Sequence, residues 1–265
     1  MHNDIEIKFT KISATGNDFI VIDNRQVGLS EKDAGLFRRV CQRRTSVGAD
    51  GVLLLNLSPE CDFELRYFNA DSSEAECGNG ARAAAWFAHQ NGLAPAKMSF
   101  AFGHDVYHAE VNSNRVRIQL PEARDLQENV GVLEEEFLEE GGAVNTGVPH
   151  YVLFAENLDG LDVTSLGRKY CHHRHFEPDA TNVNFVELCA ENAIRVRTYE
   201  RGVEAETLSC GTGSVASAYI THVRKGVAFP IEVHTRGGTL LVRNSQRNRF
   251  SLEGEVKAVY EARLL

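Results

Sequence analysis

The chain is written twice. TGNDFIVIDN (Thr15 to Asn24) is answered by TGVPHYVLFAEN (Thr146 to Asn157), with Gly16 and Gly147 offset by 131 residues. LRYFNADSSEAECGNGARAAAWFAHQNG from Leu65 is answered by VRTYERGVEAETLSCGTGSVASAYITHVRKG from Val196, with Cys77 and Cys210 offset by 133. MSFAFG at Met98 pairs with IEVHTR at Ile231, and NRVRIQL at Asn114 with NRFSLEG at Asn248. Anchors in the same order at nearly constant spacing argue for a duplicated domain. Whatever one half folds into, the other must fold into again. The boundary falls near Leu126, giving halves 1–125 and 126–265, and the last ten or so residues read as a strand returning to the first half.

Each half starts with alternating, β-branched segments, IEIKFTKI and DFIVID in the first, GGAVNTG and HYVLFAE in the second. In the first half Ser30 suits the N-cap of a helix running to about Arg44. FELRYFN and IRVRTY alternate as strands, and each leads through an acidic loop to Cys-Gly-X-Gly and a helix. These helices read as Ala81–Asn91 and Ser214–Lys225, stopped by Gly92 and Gly226. The expectation is an α+β fold of two pseudo-symmetric domains, each a central helix wrapped by mainly antiparallel sheet, with the active site in the cleft between them.

Charge and cysteine content narrow the function. With 28 basic and 37 acidic residues, net charge −9, the chain is a poor general binder of nucleic acid or anionic membrane. Ala83–Ala88 is among the longest apolar runs, far short of the ~20 residues of a membrane span. No basic segment leads an apolar one at the N-terminus, so a cytoplasmic protein is expected. Six cysteines, none in a CxxC pair, argue against a zinc ribbon or thioredoxin-type motif.

Two of the six differ from the rest. Cys77-Gly78-Asn79-Gly80 and Cys210-Gly211-Thr212-Gly213 sit where a loop becomes a helix. A helix N-terminus carries unpaired N–H groups and about half a positive charge. It favours thiolate in an adjacent cysteine and can hold a carboxylate, including one gaining enolate character. Two such thiols on opposite sides of one carbon suit stereoinversion. One removes the α-proton and the other returns a proton to the opposite face, with no aldimine cofactor needed. For Cys41, Cys61, Cys171 and Cys189 the plain reading is a small hydrophobic side chain.

Rival readings exist. GNGARA and GTGSVA both fit G-x-G-x-x-A, but acidic stretches intervene where a dinucleotide loop needs a buried strand. Two low-pKa thiols also suit a redox sensor, and a Cys77–Cys210 disulfide on oxidation would block the site. Cys171-His172-His173-Arg174-His175 offers soft ligands, yet neighbouring residues point apart and no second ligand cluster is evident, so no metal is expected. The glutamates between Glu134 and Glu140 read as a solvated surface segment.

At these residues the sequence resembles the diaminopimelate epimerases, cofactor-independent amino-acid epimerases. The resemblance runs the length of the chain: GNDF at Gly16, ADG at Ala49, NADSSEAECGNGAR at Asn69, VPH at Val148, TNVNFV at Thr181 and ERGVEAETLSCGTG at Glu200. It implies that Cys77 and Cys210 are the acid/base pair. Gly78, Asn79, Gly211 and Thr212 would offer N–H groups to the reacting carboxylate. Asn17, Asn69, Asn182 and Arg201 would hold the distal end of the substrate, Arg201 by a bidentate fork. Glu200 would face an ammonium and, with His150, orient or activate the thiols. Taken alone, Asn17-Asp18 reads equally as a turn, Arg201 as an exposed ion-pair partner and His150 as a structural histidine. The family commonly has Asn where this chain has Val148, and Gln where it has Gly51.

The implied reaction interconverts LL- and meso-diaminopimelate, in lysine and peptidoglycan-precursor synthesis, by a homodimer with no cofactor and no nucleic-acid or membrane partner. A proline or hydroxyproline racemase and a thiol redox sensor are the alternatives.

Overall fold

The computed structural model describes residues 6–246 and 248–264. They form two compact units, one comprising the chain up to Ile118 together with the chain from Gly254 onward, the other Gln119–Glu253.

The first unit contains β1 (Lys8–Ala14), β2 (Asn17–Asp23), α1 (Ala34–Cys41), β3 (Gly51–Asn56), β4 (Phe63–Asn69), β5 (Glu74–Ala75), α2 (Gly78–Gln90), β6 (Lys97–Phe102), β7 (Asp105–Asn112) and β8 (Arg115–Gln119), whose last residue passes into the other unit. The second contains β9 (Arg124–Gln127), β10 (Leu138–Asn145), β11 (Pro149–Ala155), α3 (Val163–Cys171), β12 (Asn182–Ala190), β13 (Ala193–Glu200), β14 (Ala205–Thr207), α4 (Gly211–Lys225), β15 (Ile231–Thr235) and β16 (Gly238–Gln246). β17 (Arg249–Arg263) starts in the second unit, and its later residues, Val256 to Arg263, pair with β1.

The internal pairing is the same in both units. β1–β2 and β10–β11 are antiparallel, β2–β3 and β11–β12 parallel, and β3–β4 and β12–β13 antiparallel. The parallel pairs β4–β6 and β13–β15 follow, closed by the hairpins β6–β7 and β15–β16. The duplication read from the sequence is therefore a duplication of topology.

Strands β2, β3, β11 and β12 are buried on both faces, which explains why they read as nearly continuous apolar runs. Ile20, Ile22, Val52 and Leu54 pack on Phe37 and Val40 of α1. Tyr151, Leu153, Val183 and Phe185 pack with Tyr170 and Cys171 of α3. A Cβ on Gly167 would strike the Tyr199 side chain at 2.3 Å, so glycine there sets how closely α3 approaches the sheet.

The opposite sheet face receives the central helix. α2 buries Ala81, Ala83, Ala84, Ala85 and Ala88 completely, and α4 buries every residue from Gly213 to Thr221. Helices buried on all sides lack the usual polar stripe. Small side chains allow the strands to lie close around them.

Local signals explain the helix ends. Ser30 caps a 3₁₀ turn, Glu31–Asp33, through a capping box with Asp33. α1 then ends at Cys41, short of the expected Arg44. Both central helices begin earlier than the sequence suggests, at Gly78 and Gly211, so the Cys-Gly-X-Gly glycines lie inside the first turn. α4 stops at Gly226 with φ +70°, the left-handed conformation glycine adopts without strain. The glutamate-rich segment is also more structural than expected. Glu140 accepts N–H bonds from Val130, Gly131 and Val132 and a hydroxyl bond from Tyr151, while Glu134, Glu135 and Glu139 engage lysines. No described helix is long and apolar enough to cross a membrane.

Candidate active site

Cys77 and Cys210 are the N-cap residues of α2 and α4, both in extended backbone. Each sulfur accepts the N–H three residues on, from Gly80 and from Gly213, both at 3.4 Å. The first intrahelical bonds run from Ala81 to Cys77 and from Ser214 to Cys210. The N–H groups of Gly78, Asn79, Gly211 and Thr212 precede them and have no carbonyl partner within the helix. A thiol and a bouquet of N–H donors thus stand together at the positive tip of each central helix.

Around Cys77 the polar groups form a charged chain. Arg82, with no exposed surface, donates from Nη2 to Asn79 Oδ1 at 2.7 Å and to Thr15 Oγ1 at 3.0 Å. Asn79 Nδ2 donates to Asn17 Oδ1 at 2.7 Å, and Asn17 Nδ2 to Asp50 Oδ2 at 2.9 Å. Arg43 then bridges Asp50 and Asp18, and Lys11 reaches Asp18 at 2.7 Å and the Gly48 carbonyl. Burial pushes the Asp18 carboxyl up, but Arg43 and Lys11 together hold it at about 2. Burial draws Arg82 down to about 10, and the neighbouring Cys77 thiolate opposes that fall. Arg82 remains a cation at neutral pH. Asn69, at the end of β4, donates to Ser73 Oγ at 3.0 Å and stands opposite Gly51. A side chain at Gly51 is excluded, because its Cβ would lie 2.3 Å from the Phe68 carbonyl and 2.4 Å from the Tyr67 ring.

Around Cys210 the chain is neutral. Its sulfur lies 3.5 Å from Thr212 Oγ1, which lies 2.9 Å from His150 Nε2. His150 Nδ1 faces Asn184 Nδ2 at 3.0 Å, and Asn184 Oδ1 accepts from Thr198 at 3.0 Å. Burial, aided by the Arg201 charge, pushes His150 down to about 3, so it is neutral at physiological pH. Glu200, at the end of β13, accepts from Thr207 at 2.5 Å and also meets Cys210. Burial raises its carboxyl above the usual range, and those two contacts hold back part of the rise.

Of the residues expected at the distal end, Asn182 donates to the Pro149 carbonyl and accepts the Arg201 N–H at 3.0 Å. It therefore holds the loop that carries Arg201. The Arg201 guanidinium donates to the carbonyls of Asp179 and Ala180, and among the described residues it faces no carboxylate. It is not the exposed ion-pair partner that its sequence also allowed.

The first unit brings Cys77, Gly78, Asn79 and Asn17 together, with Asn69 alongside Gly51. The second gathers Cys210, Gly211, Thr212, His150 and Glu200, with Asn182 and Arg201 in the adjoining loop. The sequence missed Arg82, Asn184, Thr198 and helix α3. Arg82 closes the CGNGAR block and Asn184 lies within TNVNFV, but neither motif tells which face its side chains take. The expected isolation of Cys171-His172 is corrected. Glu204 meets His172 at 2.8 Å, and with Cys171 the three ligand atoms lie within 4.8 Å. Both Glu204 oxygens are already used, by Gly202 N–H on one side and by Tyr199 and His172 on the other.

Comparison with known proteins follows the same lines. The sequence profile of the family described as diaminopimelate epimerase matches residues 9–123 and 142–259. The diaminopimelate epimerase of Aquifex aeolicus (strain VF5) is 41% identical over 97% of this chain and 98% of its own. That of Chlorobaculum tepidum is 42% identical over 94% and 98%. A Bacillus anthracis protein of the PhzF phenazine biosynthesis family has the same fold, with TM-score 0.74, 18% identity and coverage of 98% and 99%. So does a hydroxyproline epimerase from Agrobacterium vitis, with TM-score 0.69, 13% identity and coverage of 100% and 94%. The chain belongs to the diaminopimelate epimerase family.

Proposed function

We propose that the protein interconverts LL- and meso-diaminopimelate by two-base proton transfer, with Cys77 and Cys210 as the proton carriers. The observation that carries this reading is the repeated seat, a cysteine N-capping a buried helix in each half of a chain that belongs to this family. One cysteine, as thiolate, takes the α-proton, and the electron pair left on the carbon spreads into the carboxylate. The N–H groups of Gly78, Asn79, Gly211 and Thr212 stabilise that developing charge, a role best served by donors fixed in advance. The other cysteine, as thiol, gives its proton to the opposite face and becomes the thiolate for the reverse reaction. No atom is gained or lost except the exchanged proton.

Arg201 binds the distal carboxylate, supported by a guanidinium that meets no acid among the described residues. Asn17, Asn69 and Asn182 assist it, and Glu200 faces an ammonium. His150 and Glu200 tune Cys210. The rest of the reading is a cytoplasmic homodimer in lysine and peptidoglycan-precursor synthesis, with no nucleic-acid or membrane partner.

The test is conversion of LL-diaminopimelate by reduced protein, followed by chiral chromatography, with L-proline and trans-4-hydroxy-L-proline in parallel. Formation of the meso isomer alone supports the proposal. Inversion of a proline in its place supports a racemase. A protein that inverts neither and forms a reversible Cys77–Cys210 disulfide is a redox sensor.

A further inference from the structure

The polar residues beneath Cys210 form a directed chain. Asn184 Nδ2 stands 3.0 Å from His150 Nδ1 and 3.4 Å from the Tyr151 carbonyl, while Asn184 Oδ1 accepts the Thr198 hydroxyl. The Tyr151 carbonyl accepts only, so it fixes Nδ2 as the end beside it, and the Thr198 hydroxyl suits Oδ1 at the other. His150 Nδ1 therefore receives a hydrogen bond, and in the neutral ring the proton sits on Nε2. Nε2–H points at Thr212 Oγ1, 2.9 Å away. That oxygen, once it accepts, has one proton left to give, and Cys210 Sγ lies 3.5 Å from it. His150 and Asn184 have no exposed surface, so water does not compete for these groups.

We infer that Asn184 is a positioning residue for Cys210: by fixing the His150 tautomer it aims the Thr212 hydroxyl proton at the sulfur and favours the thiolate. The inference rests on the reading of Cys210 as a proton carrier. Among the described residues, the charged or titratable groups that the contacts place near Cys210 and His150 include Glu200 at the end of β13 and Arg201 beyond it, the latter acting through His150. The register shows what the relay adds. Phe19 stands opposite Gly51 as His150 stands opposite Asn182, and Leu53 pairs with Val21 as Asn184 pairs with Val152. The first unit therefore has Phe19 and Leu53 in the places of His150 and Asn184, and its described residues hold no such relay at those places.

The experiment is thiol alkylation of the whole protein by iodoacetamide across pH, with Cys77 and Cys210 resolved by peptide mass spectrometry. Thr212→Val should raise the pH of half-maximal Cys210 alkylation by about one unit, the worth of a hydrogen bond to a charged group. Cys77 in the same sample should not move. Asn184→Leu should move Cys210 in the same direction. An unchanged Cys210 profile in Thr212→Val overturns the relay. A shift there with none in folded Asn184→Leu overturns the role of Asn184. Should Asn184→Leu fail to fold, ¹⁵N spectra of the wild-type histidines decide the matter, with His150 assigned by its loss in His150→Gln. A protonated Nε2 supports the inference and a protonated Nδ1 overturns it. Failure of the protein to epimerise diaminopimelate would instead sink the functional reading, and it would leave these thiol profiles as they are.

Discussion

The seats of Cys77 and Cys210 share a backbone and differ in chemistry. Both are N-cap thiols bonded by the glycine N–H three residues on. In the first seat Gly80 has Cys77 and the apolar Phe19 and Leu53 around it, and the buried charge of Arg82 acts on Cys77. Cys210 rests above His150 and Asn184, both polar and both neutral. Duplication has kept what the helix terminus supplies and replaced what surrounds it. In the proposed roles one thiol has a fixed cation near it, and the other has oriented dipoles together with the Glu200 carboxyl. In the proposed reaction the two thiols play the same part with different neighbours.

The sharpest way to break the comparison is to delete each thiol. Cys77→Ala and Cys210→Ala should each lower epimerisation by about a thousandfold or more, since each face needs its own proton carrier. Steady-state assay in both directions checks this, and full activity in either variant contradicts the paired roles.

Much of this was legible in the sequence. The repeat gave two similar α+β halves, and Cys-Gly-X-Gly located both thiols without any fold in hand. The first helical turns were misplaced because glycine discourages a helix reading, although at Gly213 the close approach of Asn184 requires it. α3 was missed because VTSLGRKYC carries a glycine at the very position where Tyr199 presses on the helix. Asn184 escaped notice because TNVNFV stands in the sequence only as a segment of the family resemblance, whereas it is a strand buried on both faces. A polar residue inside such a strand is the one available signal, since a buried amide must find partners.

Next in size is Arg201→Ala. Loss of a charged partner for the distal carboxylate should raise KM by about thirtyfold or more, with a smaller change in kcat. An unchanged KM removes Arg201 from substrate binding.

A matched pair of glycines compares the two seats directly. In Gly80→Ala the new Cβ would meet the flexible tip of Leu53 at 3.2 Å, whereas in Gly213→Ala it would lie 2.4 Å from Asn184 Oδ1 and 3.3 Å from Cys210 Sγ. The first should cost about 1 kcal/mol or less and the second about 2–3 kcal/mol, read from urea unfolding. Equal costs would mean that the second seat is no more tightly built than the first.

Acid should separate the units. His150 titrates near 3 when folded and 6.5 when unfolded, so the unfolded chain takes up its proton first. The stability it contributes is present above pH 6.5 and is lost as pH falls from there toward 3, at up to about 1.4 kcal/mol per pH unit. Asp18, held at about 2 against 3.8, keeps its contribution until pH falls below 3.8. Hydrogen exchange on lowering pH from 7 to about 4 should therefore loosen Gln119–Glu253 before the other unit. Loosening in the reverse order would contradict the neutral burial of His150.

The smallest effect concerns the buried cation. Arg82→Leu should slow alkylation of Cys77 at neutral pH by about threefold and leave Cys210 unchanged, while Arg82→Lys restores part of the rate. An equal effect on both thiols would show that the two are not tuned separately.

The most direct test of the paired-thiol account is the isotopic fate of the α-hydrogen. Wild-type protein is given LL-diaminopimelate in deuterated water, and the earliest product and the remaining substrate are weighed by mass spectrometry. Two proton carriers predict meso product that carries one solvent deuterium while the LL pool is still unlabelled. Product that retains the substrate's own hydrogen, or LL substrate that gains deuterium as fast as product forms, would mean that one group serves both faces.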